Sequence, residues 1–357
     1  MVTFSRLPCS SDGRGKRLVI CITLYSYGGQ ADMKRIISVS RRTDIPAFYG
    51  DWFMGRLEDG FAGVAHPFGG QKYIVCLRPE DVICFVFWSK NFAPFLENLK
   101  TIEGSGYKFY FNYTVTTLPD VFEGNVNKRS AIDGLKELSK RYSPKHINWR
   151  FDPIIISSIS GRDFYIRTFE ELAAELAGYV QRCYFSFVVN YGKVIRNFAE
   201  LEKAKGLKIF DCSNDFKIEL ANELAEIASG YGIEMFSCCG DYLVNERVKK
   251  AHCIDGGVIE QLFYPEGLQY KQRPTRKQCG CTESTDIGTY DTCPHGCVYC
   301  YANANKQIAF ASAARHQPES AFLGYTKAQS DRWLEEIKNS GTKKDYEQLK
   351  SHGDIFR

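Results

Sequence analysis

The sequence predicts an α/β fold, and three observations carry that prediction. From residue 36 to about residue 237, short apolar segments of strand length alternate with longer segments of helical period. One short segment, Val82–Trp88, is apolar throughout, as expected of a strand covered on both faces. Alternation of this kind implies a parallel sheet with right-handed crossovers. Six strand–helix units over about 200 residues suit a partial (β/α)6 TIM-like barrel better than a closed eight-fold one. A cysteine-rich, cluster-binding segment follows the barrel at its C-terminal end.

The elements run as follows. Residues 1–33 lack a pattern and read as an N-terminal extension, with Met33 an alternative start. The first strand, residues 36–40, leads into Arg41-Arg42-Thr43-Asp44 and a helix near 51–57. The second is 82–88, ending in Ser89-Lys90-Asn91, with a helix near 94–102. The third, 107–115, alternates aromatic and polar residues and precedes a helix over 128–141. The fourth, 146–151, ends in Arg150, Asp152 and Pro153. A helix over 165–179 carries Phe169, Leu172, Ala173 and Leu176 on one face. The fifth strand is 182–189, a helix covers 216–231, and the sixth strand is 232–237, ending at Cys238-Cys239. This divides the chain into a barrel over 34–250, a cysteine-rich segment over 251–310 and a polar, partly helical tail over 311–357. A short helix over 257–263, an exposed linker over 270–278 and a helix over 327–338 complete the reading. In barrels, function gathers where strands end, and each of the six strands here ends in polar or thiol residues; for any single strand end, exposure of the following loop is the alternative reading.

Composition narrows the class. The 357 residues are 44% hydrophobic, 25% charged and 14% aromatic, with a net charge of +4. That is a globular composition, and the charge alone does not imply nucleic acid. Fourteen cysteines are many, but a secreted disulfide scaffold would be short and loop-rich. The apolar run Leu18–Tyr25 is too short to span a bilayer and lacks a cleavage pattern. A reducing cytoplasm is expected, with no membrane association and with the clustered thiols as metal ligands.

Cys293, Cys297 and Cys300 stand at C-x3-C-x2-C spacing, with Tyr299 before the last. Thiolates select zinc, Cu(I) or iron–sulfur clusters. Structural zinc usually shows paired C-x2-C knuckles, and a bacterial ferredoxin shows C-x2-C-x2-C-x3-C-P. The triplet is neither, and it suits a [4Fe–4S] cube with one iron left open. Cys279 and Cys281 form a separate C-x-C pair. With Cys253 and either Cys238 or Cys239 they make a four-thiolate set for a second iron–sulfur cluster or zinc. Burial as small apolar side chains is the alternative for Cys238 and Cys253. Cys21, Cys76, Cys84, Cys183 and Cys212 read as core residues.

The spacing C-x3-C-x-aromatic-C is similar to the signature of radical S-adenosylmethionine enzymes. That resemblance implies S-adenosylmethionine on the open iron, reductive cleavage of its sulfonium, and an electron donor such as a flavodoxin or ferredoxin. In those enzymes the motif follows the first strand, whereas here it follows the sixth, as in a circular permutation. Ser89-Lys90-Asn91 stands where a Gly-Gly-Glu stretch is usual. Across Ile36–Asn303 the chain resembles the family called domain of unknown function 1848. The matching pieces are ISVSRRTDIPAFY (37–49), FVFWSKN (85–91), WRFDPII (149–155), HCIDGG (252–257) and QCGCTESTDIGTYDTCPHGCVYCYAN (278–303). The family resemblance implies a barrel with a cluster loop and assigns no activity.

Ser40, Arg41, Arg42, Asp44, Lys90, Asn91, Arg150, Asp152 and Tyr299 are the candidates for binding cofactor and substrate. Arginine forks suit a carboxylate or phosphate on a small anionic substrate. Pairing of Arg150 with Asp152 or Asp44 is the structural alternative. Asp286 and His295 read either as hydrogen-bonding neighbours of a bound group or as ordinary loop residues. Two further readings of the whole stay open. One is a non-catalytic zinc or iron–sulfur protein, with nucleic acid left open as its partner. The other is a redox protein whose cube is closed by a fourth cysteine such as Cys281.

Overall fold

A computed structural model describes residues 34–66 and 70–339. The expectations for residues 1–33, with Cys21 and Met33, and for the last residues of the tail lie outside the described residues. In chain order the elements are β1 Arg35–Val39, α1 Ile45–Phe48, α2 Gly50–Asp59, β2 Phe61–Ala65, β3 Lys72–Cys76, β4 Val82–Ser89 and α3 Leu96–Gly104. Then come β5 Phe109–Thr114, α4 Lys128–Arg141, β6 Ile147–Ile154, α5 Arg162–Leu176, β7 Arg182–Phe187, α6 Gly192–Lys205, α7 Asn214–Gly230 and β8 Glu234–Ser237. Last are β9 Val248–Lys250, α8 Gly256–Phe263, β10 Thr285–Asp286, α9 Lys306–Arg315 and α10 Lys327–Asn339.

All six predicted strands are present, as β1, β4, β5, β6, β7 and β8. They lie in one parallel sheet of eight, in the order β10-β1-β4-β5-β6-β7-β8-β9. The two edge strands escape the sequence reading, because β9 and β10 are only three and two residues long. The helix α6, the helix α9 and the antiparallel hairpin β2–β3 escape it as well.

Side chains alternate across the sheet, apart from register shifts at the start of β1 and after Phe151 in β6. One face carries Ile37, Val39, Phe85, Phe87, Phe109, Phe111, Ile147, Trp149, Cys183, Phe185 and Met235 into the main core. The helices α2, α3, α4, α5 and α7 cover this face. On α4, Ala131, Ile132, Leu135 and Leu138 are buried at helical spacing. On α5, the predicted stripe of Phe169, Leu172, Ala173 and Leu176 is buried, and Trp149 stacks on Phe169 at 5.3 Å. Each large apolar side chain so covered contributes about 1.5–3 kcal/mol.

The opposite face holds a smaller cluster that includes Ile36, Cys84, Val86, Tyr110, Tyr184 and four cysteines. Between these apolar residues lie fully buried Asn112 and Asn148. They satisfy each other and their neighbours. Asn148 donates to Asn112 at 3.4 Å, and Arg182 Nε donates to Asn148 at 2.8 Å. Asn112 donates to the Cys253 carbonyl at 2.9 Å. The segment after β9 crosses this face and is fastened there. The Tyr110 hydroxyl donates to the Cys253 carbonyl at 3.1 Å and accepts from the Asp255 amide at 3.0 Å.

The described residues after α9 pack against the hairpin. Ala321, Phe322, Trp333 and Leu334 pack on Phe61 and Ile74 of the hairpin. Among the described residues no helix is long and apolar enough to cross a membrane.

Candidate functional site

The loop after β1 is held by one carboxylate. Asp286, at the end of β10, is 6% exposed. It accepts from Ser38 Oγ at 2.7 Å, Ser40 Oγ at 2.6 Å, the Arg41 amide at 2.8 Å and the Gly288 amide at 3.0 Å. The Nε atoms of Arg41 and Arg42 stand 3.6 and 3.8 Å away. Burial alone would raise the Asp286 carboxyl, but Arg42, Arg41 and these donors hold it below its ordinary range. Asp286 therefore orders the backbone of Ser40–Arg42. Gly288 makes this possible by its size. A Cβ there would meet Ser40 Oγ at 2.0 Å.

A second buried carboxylate, Asp44, follows. It caps α1 through the Ala47 amide at 3.0 Å and accepts from the Lys90 amide at 2.8 Å. It also bonds His295 Nε2 at 2.7 Å. A carboxylate only accepts, so Nε2 carries the proton. His295 is 4% exposed, and its Nδ1 has no hydrogen-bond partner among the described residues. Asn91 has a local role, with Oδ1 accepting from the Ala93 amide at 3.0 Å.

The thiol triplet sits beside these groups, beyond the C-terminal ends of β1 and β4. Cys293, Cys297 and Cys300 are half-buried and act on one another through space. Burial pushes the Cys297 thiol up to about 12, against the pull of Lys90. Burial also raises Cys300, against the Ala302 and Asn303 amides and the charges of Lys193 and Lys90. The Ala302 amide stands 3.3 Å from Cys300 Sγ. Lys90 Nζ bonds Glu123 Oε1 at 2.7 Å, and Thr116 Oγ1 bonds Glu123 Oε2 at 2.8 Å. The Tyr299 hydroxyl also donates to Glu123. The loop itself is tied to the connection between β5 and α4 and to α6. The Val298 amide bonds the Phe122 carbonyl at 3.1 Å, and Asn197 bonds the Val298 carbonyl at 2.7 Å.

The other thiols gather at a different place. Cys238 and Cys239 follow β8, Cys253 comes from the segment crossing the inner face, and Cys279 and Cys281 precede β10. Cys238 Sγ and Cys253 Sγ are 3.2 Å apart. Cys281, Cys279 and Cys239 adjoin this pair and act on one another's ionisation, which closes a ring of five neighbouring thiols. Bonds from Cys239 and Cys253 hold Cys238 well below the usual thiol range, and bonds from Cys239 and Cys281 do the same for Cys279. Adjacent strand residues normally face opposite sides. Cys239 reaches the same site as Cys238 because its backbone is left-handed, at φ 56°. All five thiols are free.

Three arginines surround this ring. Arg150 NH1 bonds Cys253 Sγ at 3.0 Å, and NH2 pairs with Asp152. Arg276 Nε bonds Cys239 Sγ at 2.9 Å. Arg41 acts on Cys281 and Cys279 through space. Cys253, Asp152 and Cys238 outweigh burial and raise Arg150 well above its ordinary value.

The structure thus brings the predicted residues into two groups. Lys90, Asp44 and Tyr299 stand with the triplet. Arg150 and Asp152 stand with Cys239, Cys253, Cys279 and Cys281. Ser40, Arg41 and Arg42 are engaged by Asp286. Cys238 and Cys239 both join the ring, where one of the two was expected. Sequence reasoning missed Glu123 and Arg276. Glu123 carries no local signal, and its meaning comes only from Lys90 and Tyr299. Arg276 lies in the stretch read as an exposed linker. That stretch is largely exposed, but this one guanidinium turns inward to the sulfurs. As they stand, no three His, Cys, Asp or Glu side chains among the described residues are arranged to hold a metal ion. A cleft of about 240 Å3 lined by Phe187, Phe198 and Phe210 contains none of the cysteines.

The chain belongs to the family described as Domain of unknown function (DUF1848), which it matches over residues 36–302. No curated protein matches it.

Proposed function

We propose that this protein is an iron–sulfur enzyme of radical S-adenosylmethionine type, with Cys293, Cys297 and Cys300 as ligands to a [4Fe–4S] cluster. One observation carries the reading. A single loop presents three thiols together at the C-terminal end of the parallel strands, while Cys238, Cys239, Cys253, Cys279 and Cys281 join a separate ring. That leaves three protein ligands and one open position.

The donor set suits such a group in its chemistry, and the three sulfurs would draw together around it. Three thiolates suit iron–sulfur ligation. Amide donors at a sulfur and nearby cations are the levers that tune a cluster, and Ala302, Lys90 and Lys193 supply them. His295 Nδ1, within the triplet loop, and Asn303 Oδ1, just after it, are buried without partners among the described residues. When bound, a cube with an open iron and S-adenosylmethionine supplies one-electron cleavage of the sulfonium and hydrogen-atom abstraction.

The chain's own part is positioning. Asp44 fixes the start of α1, the Lys90 amide and His295 at once. Glu123 holds the Lys90 ammonium beside Cys297 and receives the Tyr299 hydroxyl. Substrate binding falls to the strand ends, and an electron donor docks from outside. Arg41, Arg42 and Arg150 already have protein partners, so a small anionic substrate would compete with Asp286 and Asp152 for them.

The finer architecture we propose is a partial barrel. Support comes from the strand order, which rises with the chain from β1 to β9, and from the burial of the main helices on one face only. A doubly wound sheet would reverse its order and place helices on both faces.

The test is anaerobic reconstitution of the full chain with iron and sulfide. The expected result is about four iron per chain, lost in Cys297→Ser, with 5′-deoxyadenosine formed from S-adenosylmethionine under reductant. A cluster that neither binds the cofactor nor yields deoxyadenosine would overturn the enzyme reading. No iron at the triplet would overturn the cluster.

A further inference from the structure

The ring of five thiols supports an inference that does not rest on the reading of the triplet. Its sulfurs are not packed as small apolar side chains. Two guanidinium groups are aimed at them, with Arg150 NH1 at 3.0 Å from Cys253 and Arg276 Nε at 2.9 Å from Cys239. Arg276 NH2 also stands 3.8 Å from Cys238. A guanidinium cannot lose its charge, and its hydrogen bonds gain most from an anionic acceptor. A neutral thiol is a weak acceptor and offsets little of the cost of half-burying an arginine. The arrangement is therefore matched to thiolates, and thiolates in mutual contact need a cation among them. Thiolate donors select a soft or borderline metal.

The one close sulfur pair favours one ion over a cube. A tetrahedral set with metal–sulfur bonds of about 2.3 Å places its sulfurs about 3.8 Å apart. Cys238 and Cys253 are 3.2 Å apart, so the ring admits one ion after opening by roughly half an ångström. Four irons and their sulfides would require the thiols to part much further. Charge agrees with one ion. Four thiolates on a divalent ion leave two negative charges over; Arg276 supplies one positive charge, the Arg41–Arg42–Asp286 group a second, and Arg150 is balanced by Asp152.

We propose that Cys238, Cys253, Cys279 and Cys281 form a second metal site, taking a single zinc-class ion, with Cys239 as a neighbouring thiol that is not a ligand. These four are buried, whereas Cys239 is half-buried. Cys239 reaches the ring by a left-handed backbone and points its sulfur at Arg276. Such a site ties the end of β8, the segment across the inner face and the loop before β10 into one unit.

The test uses the full chain with Cys293→Ser, Cys297→Ser and Cys300→Ser, so that metal at the triplet cannot contribute. Metal analysis after anaerobic purification is expected to find about one zinc per chain. Cobalt(II) in its place should show the visible bands of a tetrahedral thiolate site. A further Cys279→Ser should remove the metal, and a further Cys239→Ser should keep it. Arg276→Gln should weaken zinc binding by about 10–100-fold in a chelator competition. In case Cys279→Ser does not fold, chelator stripping and zinc readdition in the parent variant should lower and then restore its melting temperature. No bound zinc and no response to chelator would overturn the site. Iron with acid-labile sulfide in this background would overturn the single ion. Loss of metal in Cys239→Ser would overturn the ligand set.

Discussion

Lys90 Nζ and Glu123 Oε1 stand 2.7 Å apart, with the Glu123 side chain 1% exposed. Burial would raise the Glu123 carboxyl, but Lys90, Tyr299 and Thr116 hold it below its ordinary range. Removing one partner of such a pair leaves the other buried and uncompensated, at a cost of about 3–5 kcal/mol. Glu123→Gln and Lys90→Met should each destabilise the protein at the low end of that range, since Lys90 retains some exposure. The double variant should recover most of the loss. Urea melts of the four proteins check this. Additive losses would mean that the pair is not coupled.

The Asp286 cradle predicts a sharp contrast between two glycines. Gly288→Ala drives a Cβ to 2.0 Å from Ser40 Oγ. The collision separates the Gly288 amide and Ser40 from Asp286, which leaves a buried carboxylate short of donors. A loss of about 3 kcal/mol or more is expected. A Cβ added at Gly55, inside α2, would meet nothing within 4 Å. Gly55→Ala should stabilise by about 0.5–1 kcal/mol through helix propensity. Thermal melts of the two variants should shift in opposite directions.

The strands were legible because they are apolar throughout or alternate cleanly, and most helices because their apolar residues recur at helical spacing. The helix α6 has the same signal in Val194, Phe198 and Leu201, all buried. It begins at Gly192 with no capping side chain, so its start carries no mark. The helix α9 was illegible for a different reason. It buries only Ala309 and Ser312 and exposes Ile308 and Phe310, so its apolar residues point to the wrong face. Among site residues, cysteine spacing separated the triplet from the other thiols. What spacing could not supply was long-range partners. His295 meets Asp44 across 251 positions, and Tyr299 meets Glu123 across 176. Those pairings exist only once the cysteine loop lies on the strand ends.

His316 gives the fold a pH dependence. Burial pushes its imidazole down to about 4 from 6.5. Nδ1 accepts from the Gly324 amide at 3.1 Å, and Nε2 is buried without a partner among the described residues. The unfolded chain therefore binds a proton more readily than the folded one between these values. Stability is fully present above about pH 6.5, falls as pH drops toward 4, and levels off below. The contribution is at most about 3 kcal/mol, less what solvent access removes. His316→Asn keeps an acceptor for Gly324 and cannot titrate. The variant should show a flatter stability profile between pH 4 and 6.5 in denaturant titrations. An unchanged slope would assign the acid sensitivity to other groups.

Cys281 separates an open cluster site from a closed one. A redox protein with no substrate would close its cube with a fourth thiol, and Cys281 is the candidate by sequence. In the fold, Cys281 neighbours and acts on Cys253 and Cys279, and its nearby cation is Arg41. The triplet has Lys90 instead. Among the described residues the two thiol groups are linked through intermediates: Tyr301 packs against Tyr191 at 6.3 Å, Tyr191 accepts from Arg276 at 3.2 Å, and the Tyr301 hydroxyl donates to the Arg41 carbonyl at 2.7 Å. Cys281→Ala should therefore leave the iron and sulfide of the reconstituted triplet unchanged, while Cys300→Ala should lose them. S-adenosylmethionine should still perturb the electron paramagnetic resonance signal of the reduced cluster in Cys281→Ala. If Cys281→Ala instead costs the cluster or opens it for the first time to exogenous ligands, the fourth ligand is Cys281 and the site is closed in the native protein.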